Sequence, residues 1–91
     1  MAARIGGEEF VVVLPGADVR AAADIADYIR QRVVELGIPH ELSPDRKCVT
    51  ISAGVAALDR ATVADAKSIL AQADSALYRA KAGGRNRVET A

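Results

Sequence analysis

At 91 residues the chain is one domain at most, and at this length about 60–65% of the unfolded surface is buried, so the core is modest. Apolar residues make up 51%, yet only Phe10, Tyr28 and Tyr78 are aromatic, which leaves a core of Ala, Val, Ile and Leu. Twelve basic and twelve acidic residues cancel, which excludes a global field drawing the chain onto nucleic acid or an anionic membrane; any anion site must be local.

The first predicted element is a hairpin. Ala2 to Ile5 and Phe10 to Leu14 read as strands, and Gly6-Gly7 supplies the positive φ angles of a tight turn. Phe10–Leu14 is apolar without alternation, as in a strand covered on both faces, and Pro15-Gly16 ends it. A helix follows, with Asp18 as N-cap, and Ala22, Ala26, Ile29, Val33 and Leu36 on one face. Arg20, Asp24, Asp27, Arg30 and Glu35 lie off that stripe; Gly37 and Pro39 stop the helix, and Ile38–Lys47 reads as a loop.

Cys48–Leu58 reads as a strand in which Val49, Ile51, Ala53 and Val55 alternate with Thr50, Ser52, Gly54 and Ala56. A glycine in mid-strand implies that something packs very close to it, a helix more commonly than a ligand. The second helix is predicted from Thr62, where Thr62-Val-Ala-Asp65 has capping-box spacing. Its buried stripe is Ala66, Ile69 or Leu70, Ala73, Leu77 and Ala80; Arg79 and Lys81 fall in the last turn, where cations suit the dipole, and the flexible pair Gly83-Gly84 ends it. Arg85–Glu89 is a short final strand. The order is an α+β pattern with an antiparallel hairpin, rather than strictly alternating βαβ units.

Cys48 is the only cysteine, so no intramolecular disulfide forms, and a lone thiol fits a reducing cytosol. His40 is the only histidine; a zinc site would need the two to converge, and both read as structural residues. The N-terminus has no apolar signal-like stretch and no apolar run is long enough to span a bilayer, so a cytoplasmic setting is expected.

Two segments could carry chemistry. In Gly6-Gly7-Glu8-Glu9-Phe10, bare glycines let a nucleotide lie against the backbone. Glu8 and Glu9 leave a strand by opposite faces, so only one serves a given site, and a carboxylate beside phosphates is half of a magnesium cage. In Tyr78–Arg87, Lys81 and Arg85 flank a helix end and could grip phosphate oxygens, Arg by bidentate contact and Lys as a point charge. Taken singly, the first segment reads at least as well as a surface hairpin with solvated glutamates, and the second reads better as an ordinary helix cap with dipole-matched cations.

Together they resemble the GGDEF domains, which are diguanylate cyclases. The matching features, in order, are RIGGEEF at Arg4–Phe10, LPG at Leu14–Gly16, VTISAGVA at Val49–Ala56 and ADSALYRAKAGGRNRV at Ala73–Val88. The resemblance implies a palm-like fold similar to nucleotidyl cyclases and condensation of two GTP to cyclic di-GMP, with magnesium and with two domains facing each other. By motif, Gly6 and Gly7 would lie against the nucleotide. Glu8 would be a metal ligand that helps activate the ribose 3′-hydroxyl, Glu9 would support the site, and Lys81 and Arg85 would hold the triphosphate.

The resemblance also implies a departure. In the family a segment with a metal-binding Asp on a central strand precedes the hairpin, and an RxxD for product inhibition lies just upstream of it; these 91 residues contain neither. No other acid of the chain falls inside an apolar strand beside Gly6-Gly7. The expectation is therefore the C-terminal half of a GGDEF domain, a truncated fold inactive by itself. The alternative is a non-catalytic nucleotide- or partner-binding module. Apolar strands missing their central neighbour would drive a homodimer or a swapped oligomer.

Overall fold

The computed structural model describes residues 2–4, 10–12, 18–40, 48–57 and 66–91. Its elements are β1 (Ala2–Arg4), β2 (Phe10–Val12), α1 (Val19–Leu36), β3 (Ala53–Val55), α2 (Ala66–Ala82) and β4 (Val88–Thr90). β1 pairs antiparallel with β2, with Ala2 opposite Val12, Ala3 opposite Val11 and Arg4 opposite Phe10. The Gly6-Gly7 turn between them lies outside the described residues.

The caps of α1 follow its sequence. The Asp18 carboxylate accepts from the Ala21 amide at 2.8 Å, and Gly37 takes φ of 60° with its N–H on the Val34 carbonyl at 3.0 Å. Its packing face matches the expected stripe only in part. Ala22, Ala26 and Val33 are half-buried, but Ile29 is 40% exposed and Leu36 69%. Ala23, Asp27, Arg30 and Val34 are half-buried as well, and Arg30 reaches Asn86 near the far end of the chain.

The long strand expected over Cys48–Leu58 is three residues, Ala53–Val55, because that is the span β4 pairs. Upstream, Cys48 bridges Pro39 antiparallel and the Val49 amide donates to the Ile38 carbonyl at 2.7 Å, which gives the start of the expected loop a structured edge. α2 is described from Ala66, so the Thr62–Asp65 capping box lies outside the described residues. Of the two candidates for its stripe, Ile69 is half-buried and Leu70 is 45% exposed. Ala76 and Ala80 are wholly buried.

Gly54 explains this tight seat. A Cβ there would fall onto the Ala73 carbonyl oxygen and the Leu77 amide nitrogen, and 2.8 Å from Leu77 Cα. The mid-strand glycine is thus the place where α2 lays its backbone on β3. α2 then delivers the chain to β4, which runs parallel to β3 with Ala53 opposite Val88 and Val55 opposite Thr90. This is one βαβ unit within the α+β order, with the helix as the crossover that parallel pairing requires. The last strand begins at Val88 rather than Arg85 because Gly84, Arg85 and Asn86 all have positive φ, which no strand accommodates.

Candidate functional site

The expected site residues fall in two groups. Gly6, Gly7, Glu8 and Glu9 lie outside the described residues. Lys81 falls in the last turn of α2 and Arg85 just past its end, and how that end is closed determines how they are presented.

The closure is a Schellman motif. The Arg85 amide donates to the Ala80 carbonyl at 2.9 Å and the Gly84 amide to the Lys81 carbonyl at 3.3 Å, with Gly84 at φ 120°. The pair Gly83-Gly84, expected to be flexible, is pinned. Arg87 Nε donates to the Arg85 carbonyl at 3.1 Å, and its guanidinium lies where a Cβ on Gly84 would stand, 2.7 Å from Nη2. A cation at this end also complements the negative pole of the helix dipole. Arg79 extends from the last turn to β4, donating to the Thr90 carbonyl at 2.6 Å.

Arg85 and Asn86 follow with φ of 62° and 47°. Both Lys81 and Arg85 are exposed. Asn86 is tied to α1: its Oδ1 accepts from Arg30 Nη1 at 3.0 Å. Arg30 Nε donates to Asp27 Oδ1 at 2.7 Å, and Asp27 Oδ2 accepts from Gln31 Nε2 at 2.7 Å. The hydrogen bond from Arg30, then that from Gln31, holds the Asp27 carboxyl below its usual range. By sequence, Asp27 and Arg30 lie off the apolar stripe of α1 and nothing marks Asn86 for a role of its own. The one available signal was an asparagine directly after a Gly-Gly-Arg helix end, since Asn is enriched at positive φ.

An open groove of about 520 Å³ lies between α1 and β4, lined by Asp24, Asp27, Arg30, Asn86, Arg87 and Glu89 among others. Neither Lys81 nor Arg85 lines it. Three carboxylates among its walls make it a poor seat for a triphosphate, and its cations are engaged by their own neighbours. The Pro39–Cys48 bridge sets Cys48 opposite the residue before His40, but no three His, Cys, Asp or Glu side chains gather among the described residues.

The sequence model of the family described as "Diguanylate cyclase, GGDEF domain" matches residues 1–87. The chain belongs to the GGDEF family. It is 45% identical over 87 residues to "Diguanylate cyclase A" of Treponema denticola, covering 96% of this chain and 23% of that protein. Among solved structures it is similar to the active GGEEF domain of a diguanylate cyclase from Vibrio cholerae, with a TM-score of 0.79 and 37% identity over 98% of this chain and 54% of that one. It is likewise similar to the GGDEF domain of DgcB from Caulobacter crescentus in complex with c-di-GMP, with a TM-score of 0.80 and 34% identity over 98% and 52% of the two chains. This GGDEF chain therefore spans about half the length of those solved structures and under a quarter of the Treponema denticola protein. Among the described residues, no helix is long and apolar enough to cross a membrane.

Proposed function

We propose that this chain is the triphosphate-holding portion of a diguanylate cyclase domain of palm-like fold, one that condenses two GTP to cyclic di-GMP. The observation that carries the reading is the α2 terminus: a family match through residue 87 coincides with a closed helix end at which Lys81, in the last turn, and Arg85, just past it, are both exposed. Arg85 would take two phosphate oxygens through its planar fork and Lys81 would add a compact charge. Gly6 and Gly7 would let the nucleotide approach the backbone, and Glu9 would support the site. Glu8 offers carboxylate oxygens, the donor type that magnesium takes, and would hold that ion beside the phosphates. When bound, magnesium would lower the pKa of the ribose 3′-hydroxyl and offset charge on the departing pyrophosphate.

The 91 residues alone would bind GTP or cyclic di-GMP weakly or not at all, and would not turn GTP over. Nearly all of this chain maps onto about half of a domain described as active, and the remainder of that domain has no counterpart in these residues. By sequence, no acid other than Glu8 and Glu9 falls in or beside an apolar strand at the glycine turn, so a second metal carboxylate would come from outside these residues. Incubation with GTP and magnesium followed by chromatography should show no cyclic di-GMP. Robust product would overturn the half-site reading, and nucleotide binding without turnover, unchanged when a longer polypeptide is supplied, would favour a non-catalytic binding module.

A consequence for association follows from the strands. β2 and β3 lie in separate two-stranded sheets, each with edges unpaired among the described residues. Two-stranded sheets are marginal by themselves, and open apolar edges recruit further strands. The isolated chain should form a homodimer or swapped oligomer in light scattering; a clean monomer at high concentration would count against it.

A further inference from the structure

The turn that carries Arg85 is fixed from the other helix, across 56 residues of sequence. Three successive residues have positive φ, and two of them, Arg85 and Asn86, are not glycine. Asparagine tolerates that region; an arginine holds it only where the surroundings over-determine it. Two restraints do so here. One is the Arg85 amide on the Ala80 carbonyl, which the helix closure itself supplies. The other is the chain Gln31–Asp27–Arg30–Asn86, in which every link is 2.7 to 3.0 Å long. Closing a helix needs only the positive-φ glycine at Gly84. It does not need a left-handed Arg–Asn pair after it, nor a clamp from α1. Meanwhile the Arg85 guanidinium is exposed and bonds no described residue. The backbone is held while the charged head is left available.

We propose that Arg30 and Asn86, with Asp27 behind them, are positioning residues that preorganise Arg85 for the phosphate tail of the nucleotide. The inference rests on the reading above, in which Arg85 grips phosphate. Its logic is one of populations: if loss of the clamp lets Arg85 leave its bound-like conformation nine times in ten, apparent affinity drops about tenfold.

The test uses the 91-residue chain and inorganic triphosphate as probe, followed by calorimetry, with thermal melting to confirm folding. Asn86→Gly keeps the positive φ and removes the acceptor of the Arg30 bond; it should weaken binding about tenfold. Asn86→Asp keeps both an oxygen acceptor and tolerance of that backbone region, and should retain binding within about twofold. The deciding arm is a double-variant cycle. If Asn86 acts through Arg85, the pair Asn86→Gly with Arg85→Ala binds no more weakly than Arg85→Ala alone, whereas independent losses add. Binding that falls in Arg85→Ala but is unchanged in Asn86→Gly, or losses that add, overturns the positioning role alone. No binding by the parent chain, or binding indifferent to Arg85→Ala, overturns the phosphate reading and this inference with it.

Discussion

The two helices, with 18 and 17 described residues, are held in opposite ways. α2 buries Ala76 and Ala80 completely and lies so close to β3 that only glycine fits at position 54. α1 has no buried residue at all. Its termini are closed by Asp18 and Gly37, its inner face is tied by Asp27 and Arg30, and its outer face shows Ile25, Tyr28, Ile29 and Leu36. There Arg32 lies over the Tyr28 ring, 4.9 Å from its centroid, and pairs with Glu35 at 3.0 Å, so long charged side chains cover part of the apolar surface. The lesson is that α2 is positioned by backbone contact and α1 by caps and polar links. The candidate phosphate end sits where these two modes meet: α2 supplies Lys81 and leads into Arg85, and α1 supplies the clamp.

The contrast can be broken most sharply with one residue type at two places. Gly54→Ala puts a methyl group onto the Ala73 carbonyl and the Leu77 amide, backbone atoms that cannot turn aside. It should cost about 3 kcal/mol, the upper end of what overpacking costs and a large share of the stability of so small a domain. Thermal or urea unfolding measures it, and a variant that melts within a few degrees of the parent would show that α2 does not depend on that contact. Gly37→Ala, at the end of α1, meets nothing within 4 Å. Its cost is confined to holding an alanine at φ 60°, about 1–2 kcal/mol. The ratio of the two effects is the quantity of interest, since similar losses would remove the distinction between the helices.

That distinction also explains what could be read in advance. Gly54 announced its helix because a bare position amid Val49, Ile51, Ala53 and Val55 has a physical reason that is local to the strand. Asp18 and Gly37 were legible for the same reason: a cap is satisfied within one turn. The face of α1 was not legible, because Ile29 and Leu36 lie on its apolar stripe whether or not anything covers them. Nor was the parallel partner of β3, since three residues of β4 carry no period and their register is set by the crossover through α2. Within the site, Lys81 and Arg85 could be placed together because one helix end contains both. Arg30 and Asn86 could not, because their bond joins positions 56 apart and neither residue carries a signal of the other.

The smallest expected effect tests whether the polar anchorage of α1 is electrostatic. Asp27 accepts from both Arg30 and Gln31, so its folded carboxyl titrates below the ordinary value of 3.8. A group whose folded pKa is depressed stabilises the fold in full above its unfolded pKa and loses that contribution as pH falls through the folded value. Asp27→Asn removes the titration while keeping an oxygen for Arg30. The difference in melting temperature between parent and Asp27→Asn should thus be constant at and above about pH 5 and shrink only below the ordinary carboxylate range. The side chain is 43% exposed, so solvent and salt screen the pair and the shrinkage should diminish as salt is added. A difference that does not change down to about pH 3 would mean that Asp27 holds Arg30 by hydrogen-bond geometry rather than by charge. The clamp on Asn86 would then persist in acid, and phosphate binding through Arg85 should show no matching loss over the same range.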